Sequence, residues 1–236
     1  MTTPRPSEPP PAAALAGPAA GPVAVFGGTF DPIHYGHLRT AYELLEALAV
    51  PEIRFMPAGT PPHRATTVAS NAARLEMVRV ALEGEPRFRL DDRELRKPGP
   101  SYTVDTLGDL RSEHPERPLC LIVGMDAFLG LTRWHEWQRL LTLAHLVVAH
   151  RPGWRAPDTG PLGELLAARG GAGVQDLHAS LAGRIYVHAV TQLEISSTGV
   201  RELIEAGHHP RYLMPDGVCR IIDHSGCYAR KDQANG

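Results

Sequence analysis

The 236-residue sequence has few cysteines and almost no net charge. Its three cysteines, Cys120, Cys219 and Cys227, fit neither a disulfide framework nor a Cys-X-X-Cys metal site, so we expect small buried side chains in a reducing cytoplasm. The formal net charge of -2 supplies no general attraction for polyanions, which argues against a dedicated nucleic-acid-binding protein. A polyphosphate ligand would therefore need a local binding site.

Long uninterrupted apolar runs are also missing from the sequence. The apolar stretch LCLIVGMDAFLGL is broken by Asp126, and no window approaches the roughly 20 residues that a membrane-spanning helix needs. The sequence thus predicts no membrane association. With 43% hydrophobic residues, however, a chain of this length can bury the core of one large α/β domain.

The N-terminus differs from the rest of the chain in composition. The first 22 residues contain seven prolines and six alanines, and we expect them to form a disordered Pro/Ala-rich tail. A signal peptide is the alternative, but Arg5 is its only basic side chain, Glu8 follows, and prolines interrupt the apolar part. The predicted organisation is this tail (residues 1–22), a single domain (residues 23–228) and a short C-terminal tail (residues 229–236).

After the tail, short β-type runs alternate with helical periodicity, which is typical of a parallel sheet with crossover helices. The predicted strands are Val23–Phe26, Glu52–Pro57, Arg87–Leu90, Pro118–Val123, His145–Ala149 and Arg184–Ala189. Helical spacing links the members of three groups: Leu38, Ala41, Tyr42, Leu45 and Leu48; Leu75, Val78 and Leu82; and Val200, Leu203 and Ile204. Gly207 is placed to end the third helix, and Pro215 to begin a last one. The Gly- and Ala-rich residues 154–183, with one short helix near Glu164–Ala168, are expected to be the least ordered part of the domain.

The segment GGTFDPIHYGH, residues 27–37, follows the first strand directly. In an open parallel sheet this turn is the usual phosphate site. Gly27 and Gly28 permit special backbone conformations and close approach to an anion, and a helix beginning near Gly36 adds the positive end of its dipole. His34 and His37, three residues apart at that helix start, should point to the same side. We therefore expect an electropositive site with two imidazoles.

Two converging imidazoles suit attack on a nucleotide α-phosphate, where charge develops on phosphate oxygens and fixed donors stabilise the transition state. Two other interpretations stay open on residue chemistry alone. The histidines could be a structural pair that satisfies the turn, or half of a metal site, although no Asp, Glu or Cys stands at a spacing that completes a coordination shell.

The same segment resembles the G-x-F-D-P-x-H-x-G-H signature of the HxGH-motif nucleotidyltransferases, with Thr29 in the small-hydroxyl position and Phe30 in the aromatic one. The segment ISSTGVR, residues 195–201, is similar to the second motif of that superfamily. Ser197 and Thr198 are N-cap-type residues, and Arg201 adds a forked cation close to the helix start. A triphosphate could lie between the two helix starts.

Within the superfamily the sequence is most similar to the nicotinate-nucleotide adenylyltransferase family from about Val23 to Tyr228. The matching segments, in order, are PAGTPPHR, DDRELRKPGPSYTVDTL, LIVGMDAF, RWHEW, AHLVVAHRPG and YLMPDGVCRIIDHSGCY. The resemblance implies a Rossmann-like, doubly wound and mainly parallel sheet flanked by helices. It also implies transfer of the adenylyl group of ATP to nicotinic acid mononucleotide, giving nicotinic acid adenine dinucleotide and pyrophosphate in NAD biosynthesis.

The resemblance assigns residues to each substrate. It implies that Thr103 and the backbone at Trp134 and His135 receive the pyridine carboxylate, with the indole stacked on the pyridine; an ordinary anchoring Trp is the alternative. Gly124 and Asp126 resemble the pair that holds the adenosine ribose, although Asp126 could instead cap a helix. The remaining ATP-binding residues implied are Gly27, Gly28, Thr29, Phe30, Gly36, Ser197 and Thr198, with His34, His37 and Arg201 catalytic.

Mg²⁺ is expected to enter with ATP and to need no metal site in the protein. Arg64 and Arg151 are weaker candidates for phosphate contact. Other adenylyl or cytidylyl acceptors remain alternatives, among them nicotinamide mononucleotide and pantetheine phosphate, and so does a non-catalytic nucleotide-binding regulator. An aminoacyl-tRNA synthetase is disfavoured, because no KMSKS-like loop, anticodon domain or basic charge is present.

Overall fold

The computed structural model describes residues 21–59, 67–150, 153, 155–191 and 193–229. Most of the two predicted tails, and also Arg64, Arg151 and Trp154, lie outside the described residues, so the expectations for them stay predictions. Among the described residues no helix is long and apolar enough to span a membrane.

The six predicted strands form one sheet. The strands are β1 (Val23–Gly28), β2 (Glu52–Pro57), β3 (Phe88–Leu90), β4 (Leu119–Gly124), β5 (His145–His150) and β6 (Ile185–Ala189). They lie in the order β3-β2-β1-β4-β5-β6, and every neighbouring pair is parallel. The strand order reverses between β1 and β4, as in a doubly wound Rossmann-like sheet, and this switch point is where such sheets bind ligands.

Helices connect and flank the strands. Their bounds are α1 (Tyr35–Ala47), α2 (Asn71–Ala81), α3 (Arg93–Arg96), α4 (Thr103–Glu113), α5 (Met125–Leu129), α6 (Leu140–Leu143), α7 (Gly160–Arg169), α8 (Val174–Ala179), α9 (Ser197–Glu205) and α10 (Asp216–Ser225). Short 3-10 turns at Leu131–Arg133 and Trp137–Arg139 precede α6. The helices predicted from periodicity are thereby confirmed, including the stop at Gly207, which adopts a left-handed φ of 84° after α9.

Two hydrophobic cores sandwich the sheet because side chains alternate along each strand. Ala24 and Phe26 of β1 face a core built with α1, α2, α9 and α10, whereas Val23 and Val25 face a core built with α4, α5, α6 and α7. Cys120 and Cys219 are free and buried, as the sequence predicts for small apolar side chains. Helices thus cover both faces and leave the strand ends open for a site.

The segment of residues 154–183 is more regular than predicted. It contains both α7 and α8, and each helix buries one leucine, Leu162 and Leu177 respectively. The Asp176 carboxylate accepts from the Gly173 amide at 2.8 Å and so caps the start of α8. One buried leucine per short helix gives only a weak periodic signal among alanines and glycines, and this explains why the pattern did not predict α8.

Candidate active site

A cavity of about 800 Å³ opens at the carboxyl ends of the central strands. Gly27 and Gly28 at the end of β1 line it together with Thr29, Ala58 and Gly59 line it after β2, and α4, α5 and the chain from Gly130 to His135 close its far side. The cavity therefore lies at the switch point between β1 and β4, as expected for an open parallel sheet. Its volume is large enough for a substantial organic ligand.

The predicted site residues divide into two groups. Those that line the cavity are Gly27, Gly28, Thr29, Thr103, Gly124, Asp126, Trp134 and His135. The others, Phe30, His34, Gly36, His37, Ser197, Thr198 and Arg201, are not among its lining residues and gather where the starts of α1 and α9 meet. The fold thus brings the two motifs together. Thr29 lines the cavity and directly precedes Phe30, so it connects this second group to the cavity wall.

The two histidines face each other at the start of α1. Their rings stack with centroids 3.8 Å apart and planes inclined by 27°. His34 precedes the helix and is buried, and its backbone N–H donates to His37 Nδ1 at 3.3 Å. Because Nδ1 of His37 accepts this bond, a neutral His37 carries its proton on Nε2, which is then a hydrogen-bond donor.

Burial keeps this pair uncharged at neutral pH. It lowers the pKa of His34 to about 4, and burial together with the adjacent His34 ring holds the pKa of His37 well below its ordinary value. The neutral rings offer hydrogen bonds and no charge, and the Arg201 guanidinium is hydrogen-bonded beside the starts of α1 and α9.

Glycine at position 36 is required by packing. A Cβ atom there would lie 2.9 Å from the His34 ring, closer than real Cβ atoms come, and 3.3 Å from the Ile195 carbonyl oxygen, which is also a tight contact. The same holds for Gly28, where a Cβ would lie 2.8 Å from the Phe30 ring. Gly27 and Gly28 both belong to β1, so the expected special glycine conformation is wrong, and Phe30 is the residue with a left-handed φ of 47°.

The start of α9 docks against the turn before α1. Ser197 Oγ donates to the Pro32 carbonyl at 2.9 Å, and Arg201 donates from Nη1 to the Asp31 carbonyl at 2.7 Å and from Nη2 to Thr198 Oγ1 at 3.2 Å. The N-cap is Ser196, whose side chain accepts from the Gly199 amide at 3.0 Å, and neither Ser197 nor Thr198 fills that position. The two helix starts nevertheless lie side by side, as the sequence predicts.

The residues that the family resemblance implies for the mononucleotide lie on the far side of the cavity, at α4, α5 and the chain after it. Thr103 is the first residue of α4, and the ring of the preceding Tyr102 lies 4.4 Å from that of His135. Trp134 is half-buried against the second core, and its backbone amide already donates to the Leu131 carbonyl at 2.9 Å. Asp126 lies in the first turn of α5 with Gly124 as the N-cap, so the helix-capping alternative for Asp126 is wrong.

Sequence reasoning missed two buried polar residues and one half-buried one around the site. The Asp31 carboxylate accepts from the Val68 amide at 2.8 Å, the Ala69 amide at 3.0 Å and the Tyr228 hydroxyl at 2.6 Å. Arg74 is fully buried and donates to the carbonyls of cavity-lining residues. An arginine on the apolar face of α2 was the one signal available in the sequence.

Glu94, the third missed residue, is half-buried and lines the cavity. It accepts from Thr106 Oγ1 at 2.8 Å and from the Gly59 amide at 3.4 Å. Burial raises the pKa of its carboxyl group, whereas these two hydrogen bonds act to lower it. Glu94 thereby ties the loop after β2 to α4 across the cavity wall.

The sheet order, the cavity at its switch point and the histidine pair at a helix start define a nucleotidyltransferase. Residues 25–203 match the family model described as cytidylyltransferase-like. Proteins named probable nicotinate-nucleotide adenylyltransferase from Aeromonas hydrophila and Marinobacter nauticus are 47% and 48% identical to the chain, over 88% of it and over 97% and 96% of their own lengths. The chain belongs to the nicotinate-nucleotide adenylyltransferase family.

Solved structures share the fold. Nicotinic acid mononucleotide adenylyltransferase from Plasmodium falciparum, complexed with NaAD, superposes with a TM-score of 0.67 over 88% of this chain and 97% of its own, at 16% identity. A structure of the same protein complexed with APC gives a TM-score of 0.65 at 17% identity over the same shares of the two chains.

Proposed function

We propose that the protein transfers the adenylyl group of ATP to nicotinic acid mononucleotide, giving nicotinic acid adenine dinucleotide and pyrophosphate in NAD biosynthesis. The observation that carries the proposal is the stacked His34–His37 pair at the start of α1, joined through Thr29 to a cavity with an aromatic far end. Membership of a family whose members are nearly the same length supports the choice of acceptor.

In this reaction a phosphate oxygen of the mononucleotide attacks the α-phosphorus of ATP. The new P–O bond forms as the bond from the α-phosphorus to the β-bridging oxygen breaks, and pyrophosphate leaves with the electron pair. The protein needs no covalent nucleophile; it positions both phosphates and stabilises charge on the α-phosphate oxygens. In the proposal His37 donates from Nε2 to this phosphate, and His34 holds His37 in that tautomer through its backbone N–H.

Positive charge for the triphosphate comes from the second motif. Two of the five N–H donors of Arg201 are used in its bonds to Asp31 and Thr198, which leave the guanidinium anchored beside the starts of α1 and α9. We propose that Arg201 and the helix start at Ser197 and Thr198 hold the β- and γ-phosphates. Of the other implied ATP contacts, Phe30 and Gly36 act through packing on the histidines, since the Phe30 ring meets the His37 ring edge-on at 5.0 Å.

The far end of the cavity receives the mononucleotide in this proposal. The Trp134 ring stacks on the pyridine, and Thr103 and the His135 backbone bind the pyridine carboxylate. Gly124 and Asp126, at the end of β4, take the adenosine ribose, with the carboxylate accepting from its hydroxyls. Gly27, Gly28 and Thr29 form the wall between the two substrates.

The proposal includes Mg²⁺ entering with ATP, to neutralise phosphate charge as pyrophosphate departs. The Asp31 carboxylate, three residues before His34, already accepts three hydrogen bonds and is therefore not placed to hold the ion. The donor set thus agrees with an ion held by phosphate oxygens and water. A reducing cytoplasm, which supplies ATP and keeps the three cysteines as thiols, is the proposed compartment.

Pyrophosphate release tests the proposal. The purified protein is supplied with ATP, Mg²⁺ and one of nicotinic acid mononucleotide, nicotinamide mononucleotide or pantetheine phosphate. The expected result is release with the nicotinic acid compound well above release with the others. ATP binding without release from any acceptor would instead identify a non-catalytic regulator, and preferred release with another acceptor would change the substrate.

The catalytic role of His37 has its own expected outcome. Loss of one positioned donor at a phosphoryl transition state costs about 10²- to 10³-fold in kcat, so His37→Ala should lose that much with its circular dichroism spectrum unchanged. His208→Ala, at an exposed histidine after α9, is the control and should retain wild-type kcat. Near-normal turnover in His37→Ala would show that the histidine pair is structural.

A further inference from the structure

Arg74 occupies a position where the helix pattern demands an apolar side chain. It lies on the inner face of α2 with Met77, Val78 and Ala81, and it is fully buried. Removing a guanidinium from water is costly, so arginine is almost never buried completely unless something specific holds it. The contacts of Arg74 identify what that is.

The contacts of Arg74 are carbonyl oxygens and an amide oxygen. Nη1 donates to the Thr29 carbonyl at 2.7 Å, and Nη2 donates to the Ala58 carbonyl and to Asn71 Oδ1, both at 2.8 Å. Within the described part of the chain no hydrogen bond joins Arg74 to a carboxylate, although the charge of Asp31 acts on it, and its Nε has no hydrogen-bond partner. The charge is therefore arranged around two loop carbonyls.

These two carbonyls belong to the cavity wall. Thr29 and Ala58 are the first residues after β1 and β2, and both line the cavity. The parallel ladder between the two strands ends here with the bond from the Ala58 amide to the Gly28 carbonyl, 2.8 Å long. The guanidinium fork adds a further connection between the two loops, just beyond that last ladder bond.

Holding a carbonyl also orients the amide that follows it. A trans peptide unit is planar, with its C=O and N–H pointing in opposite directions, so the bond to the Thr29 carbonyl turns the Phe30 N–H away from Arg74. Phe30 has a left-handed φ of 47°, a conformation that costs free energy for a bulky residue and persists only where its surroundings impose it.

We propose that Arg74 is a positioning residue of the adenylyl-transfer reaction, whose guanidinium holds the Thr29 and Ala58 carbonyls together and so fixes the wall beside the α-phosphate. This rests on the proposed function for the identity of the reaction. The rigid fork reaches two acceptors at once, which a lysine ammonium on a flexible chain does not reproduce.

The chain provides a matched control. Arg111 is half-buried and, like Arg74, binds backbone carbonyls: it donates to the carbonyls of Arg117 at 2.7 Å and of Leu143 and Leu181 at 2.8 Å. Those residues precede β4, β5 and β6, so Arg111 clamps the amino edge of the sheet, opposite the cavity. Burial lowers the pKa of both guanidinium groups, and only Arg74 contacts the cavity wall.

The experiment measures kcat, both KM values and the melting temperature for Arg74→Lys, Arg74→Met and Arg111→Met. A misplacement of about 1 Å in a reacting group costs about 10²-fold, so we expect Arg74→Lys to lose about that factor in kcat while staying folded. Arg111→Met should lose melting temperature but retain wild-type kcat below its transition. Wild-type kcat in folded Arg74→Lys would overturn the proposal.

If Arg74→Met fails to fold, Arg74→Lys carries the test, and chemical rescue of folded Arg74→Ala adds a second readout. Guanidinium at non-denaturing concentration should restore part of the kcat lost in Arg74→Ala and should not raise the kcat of Arg111→Met. Two results together would show that Arg74 only stabilises the fold. Guanidinium would restore no kcat, and the kcat lost in both arginine series would be proportional to the unfolded fraction. If the wild type releases no pyrophosphate with any mononucleotide, the proposed function fails, and this failure is separate from the role of Arg74. Arg74 is then tested by binding of a non-hydrolysable ATP analogue. The binding is expected to weaken in Arg74→Lys but not in Arg111→Met.

Discussion

Lowering the pH should destabilise the fold through His34 specifically. This side chain is 4% exposed, and its pKa falls from an ordinary value of 6.5 to about 4 because burial disfavours the charged ring. The folded protein therefore resists protonation that the unfolded chain accepts. Below pH 6.5 the unfolded state binds the extra proton, and stability falls with pH until the folded state titrates near pH 4.

The size of the effect follows from these two values. One pKa unit corresponds to about 1.4 kcal/mol, so His34 alone should remove about 2 kcal/mol from the free energy of unfolding between pH 8 and pH 5, and about 3 kcal/mol by pH 4. Above the unfolded pKa both states are neutral and His34 contributes no pH dependence. Against a total stability of about 5 to 15 kcal/mol for a typical domain, the loss is easily measured.

Urea unfolding at pH 8, 7, 6 and 5 tests this reasoning in the wild type and in His34→Asn. His145 also has a pKa lowered by burial and adds to the slope in both proteins, so the informative quantity is the difference between the two curves. This difference includes the part of the lowered His37 pKa that the adjacent His34 causes. We expect His34→Asn to lose about 2 kcal/mol less than the wild type between pH 8 and pH 5. The exposed control His208→Asn should follow the wild type, and parallel curves for the wild type and His34→Asn would refute the buried, neutral imidazole.

Two further substitutions probe the packing around the pair. Tyr228→Phe removes the hydroxyl that donates to the buried Asp31 carboxylate at 2.6 Å and should lower the free energy of unfolding by about 1 to 3 kcal/mol in urea titrations; an unchanged value would contradict that bond. Gly36→Ala places a Cβ 2.9 Å from the His34 ring and should lower kcat at least 10-fold by displacing the ring, a small shift with a large kinetic cost, without unfolding the protein. Gly108→Ala, whose Cβ would enter open space in α4, is the matched control and should keep wild-type kcat.

The sequence predicted the strands and the meeting of the two motifs because both depend on local or topological information. Alternating β-type runs and helical periodicity define a parallel sheet, and the carboxyl ends of its strands necessarily share one edge. The stacking of His34 on His37 follows from their spacing at a helix start. The sequence did not predict that Ser196 is the N-cap, because all three residues 196–198 have side chains suited to capping. Only the hydrogen bond from Ser197 to Pro32 in the folded chain distinguishes them.

The buried polar contacts behind the site were beyond sequence reasoning for a physical reason. Tyr228 and Asp31 are 197 positions apart, and the Arg74 and Thr29 pair 45 apart, so neither spacing nor periodicity brings them together. Each contact exists because the sheet order places α2 and the C-terminal segment behind the first turn. Polar groups that satisfy one another over such separations become visible only once the chain is folded.

The neutral state of the histidines also changes how the site stabilises charge. A pair of cations would repel each other at a centroid separation of 3.8 Å, and neither could be buried without a partner carboxylate. As neutral rings they can lie in contact, with the Nδ1 of His37 tied to the His34 backbone and its Nε2–H directed by that bond. In the proposed function the positive charge that acts on the phosphates comes from Arg201, whose guanidinium lies between the two helix starts. In this arrangement the imidazoles contribute direction and the arginine contributes charge, so a substitution at His37 should act mainly on kcat, whereas one at Arg201 should act on ATP binding as well.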